Sequence, residues 1–148
     1  MMEKIYETKV TTIAGRNGHA KSSDGFLDVD IRIPKEMGGP GDATNPEQLF
    51  AAAWSACFGT SVSVAAGIQK EKIGEVTVTA IISVMNDNGS FNLHANLQVK
   101  IEEVSLTTAN NLVEVAKTIC SYSKATKGNI EAIYEVVPNQ SNTNKTIK

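Results

Sequence analysis

Two cysteines, Cys57 and Cys120, and two arginines, Arg16 and Arg32, are, with the two histidines, the scarcest chemically useful side chains in this sequence. A thiol reacts as its thiolate, so the first question is which cysteine has surroundings that favour the anion. Cys57 lies well inside a predicted helix, beyond the reach of the N-terminal dipole, which fades within the first turn. A reactive Cys57 therefore requires a cation brought from elsewhere. Arg16, held in a turn by Gly15 and Gly18, is the candidate, because an arginine stays charged and can hold both a thiolate and a peroxide oxygen. The plainer alternative is a solvated turn arginine. Glu47 could hold Arg16 by a bidentate pair, or could be a surface carboxylate that complements the helix dipole. Cys120 ends a second predicted helix, where the dipole disfavours a thiolate and Lys117, Lys124 and Lys127 offset it. This asymmetry fits Cys57 as attacking thiol and Cys120 as resolving thiol. It leaves open a structural disulfide, worth roughly 4 kcal/mol across so long a loop, and two unrelated buried thiols. His19 and His94 show no zinc-ligand spacing with each other or with the cysteines, so no metal site is expected.

The element that must position Cys57 is the stretch ATNPEQLFAAAWSACFG, residues 43–59. Asn45 suits an N-cap, Pro46 the first helical position and Gln48 the place of a capping-box partner. Apolar residues then recur at helical spacing through Leu49, Phe50, Ala53, Trp54, Cys57, Phe58, Ser61, Val62, Ala65 and Ile68. The spacing predicts a helix over 46–68, apolar round enough of its girth to be largely buried. Glu47 and Cys57 are ten residues apart, about 15 Å along such a helix. A site that contains both needs a kink or a second subunit, and a second subunit with antiparallel central helices is favoured.

Before the helix, residues 5–13, 19–22 and 26–33 read as strands. They are separated by the turns Gly15-Arg16-Asn17-Gly18 and Ser23-Asp24-Gly25, which makes a three-stranded meander. In the last strand the alternation points Arg32 toward solvent. Residues 34–42, with Gly38, Gly39, Pro40 and Gly41, are expected to be irregular. After the helix come strands over 75–85 and 91–101 around Asn86-Asp87-Asn88-Gly89. A second helix follows over 106–120, capped by Thr107 or Thr108, then a turn over 123–128 and a last strand over 130–137. The order is βββ-α-ββ-α-β, an α+β class with antiparallel sheets, a long central buried helix and a second helix. At 148 residues the chain reads as one domain over 1–137, followed by a polar tail over 138–148 expected to be disordered.

A net charge of −2 with no long basic run argues against nucleic-acid binding. No leader-like apolar segment opens the chain and no stretch is expected to span a membrane. A cytoplasmic protein is the resulting expectation.

Four segments, in this order, carry a family resemblance: GRNGHAKSSDG at 15–25, ATNPEQLFAAAWSACF at 43–58, VAKTIC at 115–120 and YSKATKGNI at 122–130. With them the sequence resembles the organic hydroperoxide resistance (Ohr) branch of the Ohr/OsmC family of thiol peroxidases, up to Val137. ATNPEQLFAA together with SKATKGN favours the Ohr branch over OsmC. The resemblance implies an OsmC-like fold in an intertwined homodimer. It implies Cys57 as peroxidatic cysteine, Cys120 as resolving cysteine, and Arg16 and Glu47 as the pair that orients and activates the thiolate. It also implies reduction of organic (alkyl or lipid) hydroperoxides to alcohols through a Cys57 sulfenic acid and a Cys57–Cys120 disulfide. No bound cofactor is implied; an external dithiol, lipoyl groups on proteins, would be the reductant. Phe50, Trp54 and Phe58 are expected to give the substrate pocket its apolar character. Two positions depart from the family pattern: Ser121 stands where proline commonly follows the resolving cysteine, and Trp54 where a smaller or tyrosine side chain is often seen. The other readings are an OsmC-type peroxidase of broader specificity, a non-catalytic thiol redox sensor on the same fold, and a structural protein with inert cysteines.

Overall fold

The structure, a computed structural model, describes residues 1–139; of the expected tail, residues 140–148 lie outside the described residues. Contacts group the chain into two compact units, Met1–Leu49 and the residues from Phe50 onward.

The first unit holds the expected meander. Strands β1 (Val10–Ile13), β2 (His19–Ser22) and β3 (Asp28–Asp30) pair antiparallel in that order, with Ile13 opposite His19 and His19 opposite Asp30. The outer two strands are shorter than predicted. Within this chain Ile5 and Phe26 are more than 90% exposed, so no packed face extends the pairing to them. Beyond Asp30 the chain leaves the sheet, and Ile31 makes a parallel bridge to Thr44 instead. The β1–β2 connection is one turn of 3-10 helix, Gly15–Asn17, entered through left-handed backbone at Ala14 and Gly15. Gly18 leaves it so close to β1 that a Cβ would lie 1.6 Å from the Ile13 carbonyl oxygen. Arg32 does not simply face solvent. It is half-buried and its Nη1 donates to the carbonyls of Gly18 (2.9 Å) and Ile31 (2.7 Å), bracing the turn that carries Arg16. The loop over 34–42 is likewise not wholly irregular: Lys35–Met37 forms a 3-10 turn whose amides bond back to Pro34 and Lys35.

Helix α1 (Pro46–Gln69) starts where the capping residues predict. The Gln48 amide donates to Asn45 Oδ1 at 2.9 Å and the Thr44 hydroxyl to Gln48 Oε1 at 2.7 Å, so the first turn is held from both sides. The expectation of a largely buried helix fails for the single chain. Trp54, Phe58, Ser61, Val62, Ala65 and Ala66 are buried, whereas Ala52, Ala56, Thr60, Val64 and Ile68 are exposed, because one sheet and one further helical layer cover only one face. The helix also has an 18-residue window of mean hydropathy 1.5, so by length and composition it could cross a membrane, against the expectation that no stretch would. Its apolar face packs instead in the core of the second unit.

That core is built on β5 (Ser90–Ile101), the middle strand of a second sheet between β4 (Val76–Asp87) and β6 (Glu131–Val136). Alternate residues Ala95, Leu97, Val99 and Ile101 face inward, as period-2 patterning requires. β4 and β5 join through Asn88-Gly89, both with positive φ, a two-residue hairpin of the Asn-Gly kind. Helix α2 (Leu106–Ile119) adds Ala109, Leu112, Val113 and Ala116. Its cap is Ser105, not Thr107 or Thr108: the Ser105 hydroxyl accepts from the Thr108 amide at 3.1 Å. The predicted turn over 123–128 is mostly a short helix, α3 (Ser121–Thr126), since no glycine interrupts the chain before Gly128. The α2–α3 crossover returns β6 parallel to β5, so this sheet is mixed and not purely antiparallel.

Candidate active site

The two thiols meet where α1 passes the junction of α2 and α3. Cys120 is the residue between those helices. With φ −61° and ψ 118° it leaves helical geometry while its amide still bonds Ala116 and its carbonyl accepts from the Lys124 amide. One extended residue thus turns the chain and starts α3. Cys120 is buried and Cys57 half-buried, both as free thiols. The Cys120 Sγ donates to Cys57 Sγ across 3.4 Å, leaving roughly 1.4 Å to close to a disulfide.

Ser121, the first residue of α3, sets its hydroxyl 3.7 Å from the Cys57 sulfur. Burial pushes the Cys57 thiol up, but the Ser121 hydroxyl, the Cys120 thiol and the backbone N–H groups of Tyr122 and Ser121 together hold it below the ordinary thiol range. The physical source is hydrogen bonding to the charged form. Within its own unit, therefore, neutral donors already favour the Cys57 thiolate. Sequence reasoning treated Ser121 only as a departure from proline. A hydroxyl residue at the first position of a helix directly after a cysteine was the available signal, masked because α3 itself was read as a turn.

Arg16 and Glu47 come together in the first unit. Arg16 Nη1 and Nη2 donate to the two Glu47 carboxylate oxygens at 2.9 and 2.7 Å, a bidentate pair in which Glu47 is the less exposed partner, at 16% against 41%. The Arg16 hydrogen bond holds the Glu47 carboxyl below the usual carboxylate range, and the Glu47 bond raises Arg16 in turn. Placing Glu47 in the first turn of α1 adds a favourable dipole. His19 is occupied differently: its ring nitrogens face Asp30 and Asp28, which raise its pKa at this solvent-accessible position.

Of the three expected pocket residues, Trp54 and Phe58 are fully buried and Phe50 partly so. Phe50 meets Trp54 edge-on at 5.5 Å, and Phe58 stacks tilted on Tyr134 at 5.2 Å. In this chain Trp54 and Phe58 are therefore core side chains that present no surface to a ligand. The indole N–H of Trp54 donates to the Ser123 hydroxyl oxygen at 3.2 Å and the Tyr134 hydroxyl donates to it at 2.7 Å. Ser123 belongs to α3, so this buried junction anchors the helix whose first amides face Cys57. Among the described residues no group of three or more His, Cys, Asp or Glu side chains could hold a metal ion.

Comparison with known proteins follows the same residues. A sequence profile of OsmC-like proteins matches residues 39–135. The organic hydroperoxide resistance protein of Xanthomonas axonopodis pv. citri is 38% identical over 129 residues, covering 86% of this chain and 91% of that protein. The organic hydroperoxide resistance protein OhrA of Bacillus subtilis is 39% identical over 143 residues, covering 92% and 99%. The crystal structure of an organic hydroperoxide resistance protein from Elizabethkingia anophelis superposes with a TM-score of 0.87 at 42% identity, over 93% of this chain and 100% of that one.

Proposed function

This chain belongs to the OsmC-like family, in its organic hydroperoxide resistance branch, and from that premise we propose that it is a cysteine-based peroxidase reducing organic hydroperoxides to alcohols. The observation that carries the reading is the 3.4 Å approach of the Cys57 and Cys120 sulfurs with the Cys57 thiol held below its ordinary range. The Cys57 thiolate attacks the terminal oxygen of ROOH. The O–O bond breaks, Cys57 becomes the sulfenic acid, and the departing alkoxide takes a proton from solvent to give ROH. The Cys120 thiol then attacks the sulfenic sulfur, forming the disulfide and releasing water. An external dithiol, lipoyl groups on proteins by the family resemblance, reduces the disulfide and becomes a disulfide itself. The setting is cytoplasmic oxidative-stress defence.

Arg16 and Glu47 enter as the pair that orients and activates the thiolate, and their service to Cys57 is assigned to a homodimer. Ten residues of α1 separate Glu47 from Cys57, about 15 Å, so one protomer's pair serves the cysteine of its partner. The exposed Val64 and Ile68 of α1 and Ile13 of β1 support a second copy over these faces. Purified protein should consume tert-butyl hydroperoxide catalytically with dihydrolipoamide, and Cys57→Ser should abolish turnover. A single oxidation event without turnover would favour a redox sensor. For the shared site, mixing Cys57→Ser with Glu47→Ala chains should recover about a quarter of wild-type activity, since half the dimers would carry one intact site of two. No recovery, with mixed dimers verified, would place the pair and the cysteine in one protomer.

A further inference from the structure

Ser121 has been met so far as a contact of Cys57, yet its backbone setting shows something more specific. It is the first residue of α3, where the amide has no acceptor within its own helix. The preceding Cys120, at φ −61° and ψ 118°, already has the extended conformation that a following proline demands. The first helical position is also the one place in a helix that accepts proline without loss. Proline would therefore fit here with the same chain path. What serine adds over proline is chemical: a hydroxyl 3.7 Å from the Cys57 sulfur and an amide N–H that also faces that sulfur.

We propose that Ser121 is a positioning residue for the peroxidatic thiolate, supplying Cys57 with two hydrogen bonds, from its hydroxyl and its own amide, that a proline at this position could not make. The inference rests on the peroxidase reading for its consequence, but the property it concerns, the state of the Cys57 thiol in the reduced protein, is measurable without any turnover. In the dithiol form both donors stabilise the anion before peroxide arrives. After attack the hydroxyl remains beside the newly oxidised sulfur, while Cys120, joined to Ser121 through one peptide bond, closes the disulfide. The Cys120 thiol and the Tyr122 amide, which also donate to Cys57, are untouched by changes at Ser121. The effect of the two Ser121 donors is thereby separable from theirs.

The test is iodoacetamide labelling of the fully reduced chain across pH, with carbamidomethylation read at Cys57 by peptide mass spectrometry. Four proteins are compared: wild type, Ser121→Ala (hydroxyl lost, amide kept), Ser121→Pro (both lost) and Ser121→Thr (both kept). Losing one hydrogen bond to a charged group cuts the thiolate population about tenfold, and the greater nucleophilicity of the more basic thiolate returns about threefold of that. Labelling on the acid side of the titration should therefore slow about threefold in Ser121→Ala and about tenfold in Ser121→Pro, with the midpoint moving up in the same order and Ser121→Thr close to wild type. Thermal melts of the same four proteins establish that the fold is kept, the proline variant included. Equal Cys57 profiles in all four would overturn the proposal, as would a Ser121→Pro profile no different from that of Ser121→Ala for the amide part. Absence of hydroperoxide turnover in the wild type would instead sink the peroxidase reading and leave the labelling result standing.

Discussion

Removing the Ser123 hydroxyl should loosen the α3 helix from the core, and the size of the effect follows from its contacts. In Ser123→Ala the Trp54 indole N–H loses its acceptor inside a fully buried residue, at a cost of about 1–3 kcal/mol for an unsatisfied buried donor. The Tyr134 hydroxyl, only partly buried, loses a 2.7 Å bond and can turn to water, so its loss is about 0.5–1.5 kcal/mol. Alanine returns about 0.5 kcal/mol through its better helix propensity. The net is a destabilisation of about 1–4 kcal/mol, centred on about 2.5 kcal/mol, which with a urea slope of about 2 kcal/mol/M lowers the midpoint by about 1 M. The chain has one tryptophan, and it is the residue losing the bond. Its fluorescence, followed through urea unfolding at fixed protein concentration, therefore reports the transition directly. Tyr134→Phe alone should cost less, and the double variant should fall short of the sum because the two bonds share one oxygen. A change below about 0.5 kcal/mol in Ser123→Ala, or strict additivity with Tyr134→Phe, would refute the idea that this junction anchors α3.

Gly18→Ala should destabilise the first unit by more than about 2 kcal/mol, since its Cβ would collide with the Ile13 carbonyl and no flexible side chain can yield; hydrogen exchange of the β1 and β2 amides would report it, and unchanged protection would contradict the packing. Glu47→Gln should cost up to about 1 kcal/mol at neutral pH, given the exposure of Arg16. Because the folded-state pKa of Glu47 is depressed, its contribution is present above the unfolded carboxyl pKa and lost as pH falls through the folded value. Wild type and variant should thus converge in acid; a difference that persists there would mean the carboxylate charge is not what matters. For His19 the sign is reversed: its pKa is raised, so its contribution is full below the unfolded pKa and lost as pH rises through the folded one. Its NMR titration midpoint should fall in Asp30→Asn, and an unmoved midpoint would discount the pairing.

The long elements were legible because their signals are local. Asn45-Pro46 and the helical apolar period set α1 within one residue of its observed end, and Asn88-Gly89 set the hairpin. The failures share a cause. Whether residues 5–9 or 31–33 join a sheet depends on what covers them, which pattern alone does not contain. The burial of α1 was overestimated because its composition does not tell a face covered by its own chain from one left exposed. The parallel return of β6 is set by the crossover through α2 and α3, and α3 was missed because six residues carry little periodicity. At the site, both cysteines and the Arg16–Glu47 pair were named from sequence, the latter with its bidentate geometry. The donors around Cys57 were not, since they arise from a junction where backbone amides, not side-chain types, carry much of the chemistry. Trp54 and Phe58 read as pocket residues because they flank the cysteine in sequence; in space they turn into the core.

The central claim is that Cys57 and Cys120 act as one redox couple, and a single-turnover experiment tests it most directly. Fully reduced protein mixed with one equivalent of tert-butyl hydroperoxide, quenched with acid and digested, should lose both free thiols and yield the Cys57–Cys120 cross-linked peptide within one chain, with one equivalent of alcohol. Recovery of two free thiols beside intact hydroperoxide would contradict the account, as would Cys57 over-oxidised to sulfinic acid while Cys120 remains free.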